Sequence, residues 1–150
     1  MSENNNLPLV DVRDLKQYFN INVGLFQTKP LKAVDGVSFT INKGETLGLV
    51  GESGCGKTTV GRSILHLYKP TGGQIFFNGK EISTKSEIHD FRKSATMVFQ
   101  DPYSSLNPRM TVSDIIGEPL DIHKVYKNKA DREARILELM DHVGLNSEHA

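Results

Sequence analysis

The sequence has a single cysteine, Cys55, and no tryptophan. One thiol excludes an internal disulfide and any zinc site built from several cysteines. Net charge is lacking too: 18 Lys and Arg balance 18 Asp and Glu, so bulk charge points to neither nucleic acid nor anionic lipid as a partner. No run approaches the roughly 18 consecutive apolar residues that a membrane-spanning helix needs. The opening "MSENNN" has neither the basic nor the apolar region of a secretory signal, which gives the expectation of a cytosolic chain. There is no internal repeat and no low-complexity tract beyond that Asn-rich start. What is there is 150 residues, 37% hydrophobic and 24% charged, enough for a soluble domain with a real core.

Patterning divides the chain into elements. "LVDVRDL" (residues 9–15) alternates apolar and polar, as a half-buried strand does. A loop containing Gly24 and Pro30 is expected next. "LKAVDGVSFTI" and "GETLGLVG" read as strands joined at the turn signal "NKG". Thr46 to Val50 is nearly all apolar, which predicts a strand covered on both faces. Residues 57–67 carry Val60, Ile64 and Leu67 at helical spacing, with Pro70 as the stop. "GQIFFNGKEI" predicts a hairpin around Asn78-Gly79. A short helix around Glu87–Arg92 leads to a strand, "ATMVFQ". A long polar loop stiffened by Pro102 and Pro108 hangs off that strand.

Farther on, Thr111 with Asp114 three residues later predicts a capping box opening a helix through "VSDIIGEPLDIH", kinked or distorted at Pro119. A last helix has Asn128 as N-cap, Ile136, Leu137, Met140 and Val143 on one face, and Gly144 as its stop. That apolar face needs a partner. The helix therefore reads as the start of a further layer, and self-association is expected if nothing covers it.

The chemistry is concentrated in "GESGCGKT", Gly51 to Thr58, which fits G-x-x-x-x-G-K-[ST] in full between an expected strand and an expected helix. Gly54 and Gly56 let the backbone fold tightly and bring its N–H groups to phosphate oxygens. The positive end of the following helix adds to the attraction. Lys57 would place an ammonium on β and γ phosphates, the Thr58 hydroxyl would ligate Mg²⁺, and Thr59 is a further donor to the α-phosphate. Gly51, Glu52, Ser53, Gly54, Cys55, Gly56, Lys57, Thr58 and Thr59 are thus the candidate nucleotide contacts. Against this stands a plain reading, a glycine-rich turn with a solvated lysine. Cys55 reads as a small side chain tolerated at a loop position that faces away from phosphate.

With the phosphate loop, Gln100 at the end of "ATMVFQ", and the strings "LKAVDGVSFTINKGETLGLVGESGCGKTTVGR" and "VFQDPYSSLNPRMTV", the chain resembles the ATP-binding subunits of ABC transporters. It is most similar in phrasing to the branch that serves oligopeptide and dipeptide importers. The resemblance covers residues from about 9 to 150. It implies an α/β fold, a P-loop NTPase core of the ABC ATPase type with an antiparallel β subdomain and the start of a helical subdomain, truncated. On this reading 1–8 are a disordered N-terminus, 9–100 the N-terminal part of the ATPase domain, and 101–150 the Q-loop and the beginning of the helical subdomain. Gln100 corresponds to the Q-loop glutamine, near Mg²⁺ and the attacking water, and is counted with Lys57 as catalytic and with Thr58 as a metal contact. "DLKQYF" takes the place of the loop whose aromatic ring stacks on adenine, with Phe19 as the ring and Tyr18 as the alternative. Tyr103, Ser104, Ser105, Leu106 and Asn107 are the implied contacts with membrane subunits.

The resemblance also implies ATP and Mg²⁺ as cofactors, a second ATPase subunit and transmembrane permease subunits as partners, and a peripheral place on the cytoplasmic face of the membrane. No nucleic-acid partner is expected. The family's signature motif, acidic catalytic strand and switch histidine have no counterpart in these 150 residues; the histidines and acids of "SEIHDF" and "DHVGLNSEH" read as surface residues. The chain by itself is accordingly expected to bind nucleotide weakly and hydrolyse it poorly. Three other readings stay open: a different P-loop enzyme such as a small-molecule kinase or GTPase, a non-catalytic nucleotide-binding module, and an ABC ATPase for another solute such as a metal complex.

Overall fold

The computed structural model of the protein describes residues 7–24, 27–101 and 105–146. These fall into two compact units, Met1–Met97 and Val98–Ala150.

The first unit is built on a four-stranded antiparallel sheet in the order β2-β1-β3-β4. The strands are β1 (Val10–Asn22), β2 (Thr28–Ile41), β3 (Gly72–Phe77) and β4 (Lys80–Glu81). β1 is longer than its alternating stretch suggests, because β2 pairs with it from Val10↔Ile41 to Asn22↔Thr28. Pro30 therefore lies inside a strand, opposite Asn20, where a loop is expected. It is tolerated because β2 is an edge strand, so its missing N–H interrupts no second ladder. Within β1, Asp14 takes a positive φ of 48° where the register shifts between Val12 and Leu15. This bulge lets Val12 and Leu15 both face inward. The Asn78-Gly79 hairpin is present, both residues at positive φ (49° and 75°), as a two-residue turn of this kind requires.

Val12, Leu15, Val34, Val60, Ile75, Ile82 and Phe91 form the core, with Phe77 edge-on to Phe91 at 5.0 Å. Helix α1 (Lys57–Ile64) supplies Val60, and α2 (Lys85–Arg92) supplies Phe91. α1 stops short of Leu67. His66 adopts positive φ (53°), and Leu67 N–H returns to the Arg62 carbonyl at 2.8 Å while His66 N–H returns to Ser63 at 3.0 Å. This is a Schellman closure with histidine in the usual glycine place. Arg92 then donates to the Leu65 and His66 carbonyls (3.2 and 2.9 Å), tying off the negative end of α1. α2 opens with a capping box between Thr84 and Glu87.

The expected strands Thr46–Val50 and "ATMVFQ" are not formed: residues 42–56 and 95–100 carry no ladder. Leu47, Leu49, Val50, Val98 and Phe99 are exposed. Apolar composition equips these segments to be covered strands but supplies no neighbour to hydrogen-bond them.

In the second unit, α3 (Val112–Ile122) begins at the expected capping box, Thr111 with Asp114, and runs through Pro119 without ending there. α4 (Lys129–His142) is capped by Asn128, whose Oδ1 accepts from Ala130 N–H at 2.7 Å, and closes at Gly144 with Leu145 N–H on the Met140 carbonyl at 2.9 Å. Arg132 of α4 grips Asp121 of α3 in a fork at 2.6 and 2.7 Å. Of the face expected to be buried, Ile136 and Met140 are, whereas Leu137 and Val143 are exposed. The contact with α3 covers only the narrower stripe.

Candidate nucleotide-binding site

The loop from Gly51 to Gly56 turns tightly, with Cys55 N–H on the Glu52 carbonyl at 3.3 Å. Gly54 and Gly56 lie in the left-handed region (φ 82° and 100°). At Gly56 space is limiting as well: a Cβ there would run into the Ala33 carbonyl oxygen of β2. Lys57 starts α1 and folds its ammonium back into the loop, donating to the Gly51 and Glu52 carbonyls at 2.8 and 2.6 Å, with the Cys55 Sγ 3.5 Å away. The loop is therefore wrapped around a positive charge. Cys55 is exposed, and its sulfur lies beside that ammonium rather than turned away from it.

α1 adds to the positive character. Its N-cap is Gly56, which offers no side-chain acceptor, and its first turn has no acid. The leading N–H groups of the helix thus have no side-chain cap, and partial positive charge gathers where Thr58 and Thr59 emerge. Thr58 is exposed and Thr59 half-buried. Loop amides, an ammonium held only by neutral carbonyls and sulfur, and an uncapped helix start make a donor set that fits a polyphosphate.

The aromatic candidates on β1 part company. Tyr18 is opposite Lys32 of β2, and its hydroxyl donates to Asp35, whose carboxylate also takes Lys32 at 3.1 Å. Those bonds hold the Asp35 carboxyl below its usual pKa and push the Tyr18 phenol up. Phe19 lies on the other face, the one toward α1. There Gln17 accepts from Ser63 of α1 at 3.5 Å, and the Phe19 ring meets Tyr68 edge-on at 5.2 Å. Tyr68 and its partner Arg62 are part of this region, though no motif spacing marks them; only the fold brings them to Phe19.

Gln100 belongs to the second unit and is exposed. Tyr103 and Ser104 lie outside the described residues. Leu106 is exposed, and Asn107 organises a turn by accepting Arg109 N–H on Oδ1 and Met110 N–H on its carbonyl, both at 3.1 Å, with Pro108 between. A cavity of about 360 Å³ opens elsewhere in the first unit, beside His66, Pro70, Gln74 and Ile82, and includes no phosphate-loop residue. Burial and the Arg92 charge lower the pKa of His66 there. Among the described residues no group of His, Cys, Asp and Glu is gathered as a metal cluster, and no helix is long and apolar enough to cross a membrane.

The chain is similar to known proteins over most of its length. The oligopeptide transport ATP-binding protein OppF of Bacillus subtilis (strain 168) is 53% identical over 145 residues, covering 95% of this chain and 46% of the relative. The dipeptide transport ATP-binding protein DppF of Lactococcus lactis subsp. cremoris (strain MG1363) is 54% identical over 122 residues, 79% of this chain and 39% of its own length. The chain thus spans under half the length of these curated relatives. A dimeric ATP-binding cassette in a post-hydrolysis state, bound to ADP and Pi, superposes with a TM-score of 0.71 at 23% identity, over 94% of this chain and 60% of that one. This likeness shows the fold of an ABC ATPase cassette. The model of the ABC transporter family matches residues 34–150, and the chain belongs to that family.

Proposed function

We propose that this chain is the nucleotide-binding front part of an ATPase subunit that energises an ABC importer of oligopeptides or dipeptides. The observation that carries the reading is the phosphate loop closed around the Lys57 ammonium ahead of an uncapped α1. The oligopeptide and dipeptide transport relatives support the choice of solute.

In this reading an ATP polyphosphate takes the place of the Gly51 and Glu52 carbonyls at Lys57, and loop amides from Glu52 to Thr59 bind its oxygens. Thr58 and Gln100 would hold Mg²⁺, which when bound neutralises charge on the β and γ phosphates. Phe19 provides a face for adenine, a role that Tyr18 is poorly placed to share while tied to Asp35 and Lys32. Residues 9–100 form the nucleotide-binding part, and 101–150 carry the Q-loop and the first helices of the helical subdomain. Tyr103 to Asn107 would face the permease subunits, a second ATPase subunit would close over the nucleotide, and the complex would sit at the cytoplasmic face of the membrane. Hydrolysis belongs to the longer subunit; the 150 residues alone should turn over little ATP.

The test is a Mg-ATP titration of the 150-residue chain beside Lys57→Ala. Loss of the ammonium should weaken binding by about tenfold or more; equal affinities would overturn the reading. Nucleotide should also shield Cys55, the sole thiol, from alkylation.

A further inference from the structure

Tyr68 is held by one residue of the phosphate-loop helix at both of its ends. Its main-chain N–H bonds to the Arg62 carbonyl at 3.3 Å, and its hydroxyl accepts from Arg62 Nη1 at 2.8 Å. The guanidinium also stands 5.7 Å from the ring centroid. A tyrosine fixed at its backbone and at its far tip cannot swing. Its ring then meets Phe19 at 85°, the edge-to-face arrangement that aromatic pairs favour. The chain just beyond Tyr68 is fastened to β1 on either side of Gln17. Thr71 N–H and Oγ both bond to the Lys16 carbonyl (2.9 and 3.0 Å), and Tyr18 N–H bonds to Thr71 Oγ at 3.2 Å.

We infer that Tyr68 is a positioning residue for the base of the nucleotide, setting the Phe19 ring at a fixed offset from the phosphate loop through Arg62. The inference rests on the proposed reading of Phe19 as the adenine platform. α1 carries Lys57 and Thr58 at its start and Arg62 one turn farther on. Arg62 fixes Tyr68, and Tyr68 fixes Phe19. The polyphosphate and the base of one ligand are thereby gauged from the same helix. Tyr68 touches no ligand in this scheme. It acts through the orientation of Phe19 and keeps that ring from collapsing toward α1.

Two ligands separate the effects: ATP, which has a base, and inorganic tripolyphosphate, which has none. They are titrated by calorimetry onto the 150-residue chain and its variants. Phe19→Ala should weaken ATP by about tenfold, within what base–aromatic stacking contributes, with tripolyphosphate unchanged. Tyr68→Ala should weaken ATP by about three- to tenfold, again with tripolyphosphate unchanged. Combined with Phe19→Ala it should add little, since both changes remove one stack. Tyr68→Phe keeps the ring and loses the Arg62 anchor, so it should fall between wild type and Tyr68→Ala; it also serves if the alanine variant fails to fold. Equal losses for ATP and tripolyphosphate in both Tyr68 variants would mean general damage and overturn the inference, as would full ATP affinity in both. Unchanged ATP affinity in Phe19→Ala would overturn it together with the platform reading. Unchanged affinity in Lys57→Ala would instead strike the nucleotide site itself.

Discussion

Val12 and Leu15 of β1 are 1% and 0% exposed, while Val50 and Val98 are 96% and 93% exposed. The side chains are of one chemistry, so the difference lies in their neighbours. β1 has β2 on one edge and β3 on the other, and the bulge at Asp14 turns both apolar residues onto the core. Residues 46–50 and 95–99 have no ladder on either edge. An antiparallel partner can arrive through a turn of a few residues, as β2 and β4 do, whereas a parallel partner needs a crossover of a dozen residues or more. Apolar composition makes a segment worth covering; it does not provide the cover.

The largest effect that could break this comparison is a pair of truncations. Leu15→Ala should destabilise the first unit by about 2–5 kcal/mol, the range for emptying a closed core site. Val98→Ala in the same chain should change stability by less than about 0.5 kcal/mol. Urea unfolding of both variants decides the matter, and similar losses would show that Val98 is buried in solution. Next comes hydrogen exchange. Amides of β1 should be protected, while those of 46–50 and 95–99 exchange freely in the 150-residue chain. In a chain extended to the length of its relatives, those two segments should gain protection and Val98→Ala should become costly.

What could be read in advance divides along the same line. The Asn78-Gly79 turn, the Thr111–Asp114 box, the Asn128 cap and the tight glycine turns at Gly54 and Gly56 are legible because each is decided within a few residues. Pro30 is not, since only the edge position of β2 makes a proline acceptable there. The end of α1 at Ile64 depends on His66 taking a conformation usual for glycine, with Arg92 from α2 bonding the freed carbonyls. Tyr68 is silent in the sequence for the same reason: nothing local in the chain announces that it will meet Phe19.

The second unit offers a sharper comparison within one helix. Gly117 of α3 is buried where Arg132 crosses from α4, and a Cβ there would collide with the guanidinium and approach Ile136 Cδ1 at 3.1 Å. Alanine is favoured over glycine in a helix by about 1 kcal/mol. In the wild-type background that gain should be cancelled or reversed, because Arg132 must leave its fork on Asp121. In an Arg132→Ala background part of it should appear, with Ile136 Cδ1 at 3.1 Å still to be accommodated. A double-mutant cycle measured by thermal unfolding tests this, and additivity would mean that Arg132 does not lie across Gly117.

The smallest effect concerns a feature that needs no distant partner. Glu87 accepts from the Thr84 and Ser83 main chain (2.9 and 3.2 Å), and these bonds hold its pKa down to about 2 from an ordinary 4.5. A carboxyl bound more weakly by protons when folded than when unfolded stabilises the fold when it is ionised. Its contribution is therefore complete above pH 4.5 and is lost as pH falls toward 2. Glu87→Gln should flatten the acid limb of the stability profile in that window, with a modest loss at neutral pH. An acid limb as steep as wild type would assign that slope to other carboxylates, Asp35 among them, whose pKa is also lowered by its partners.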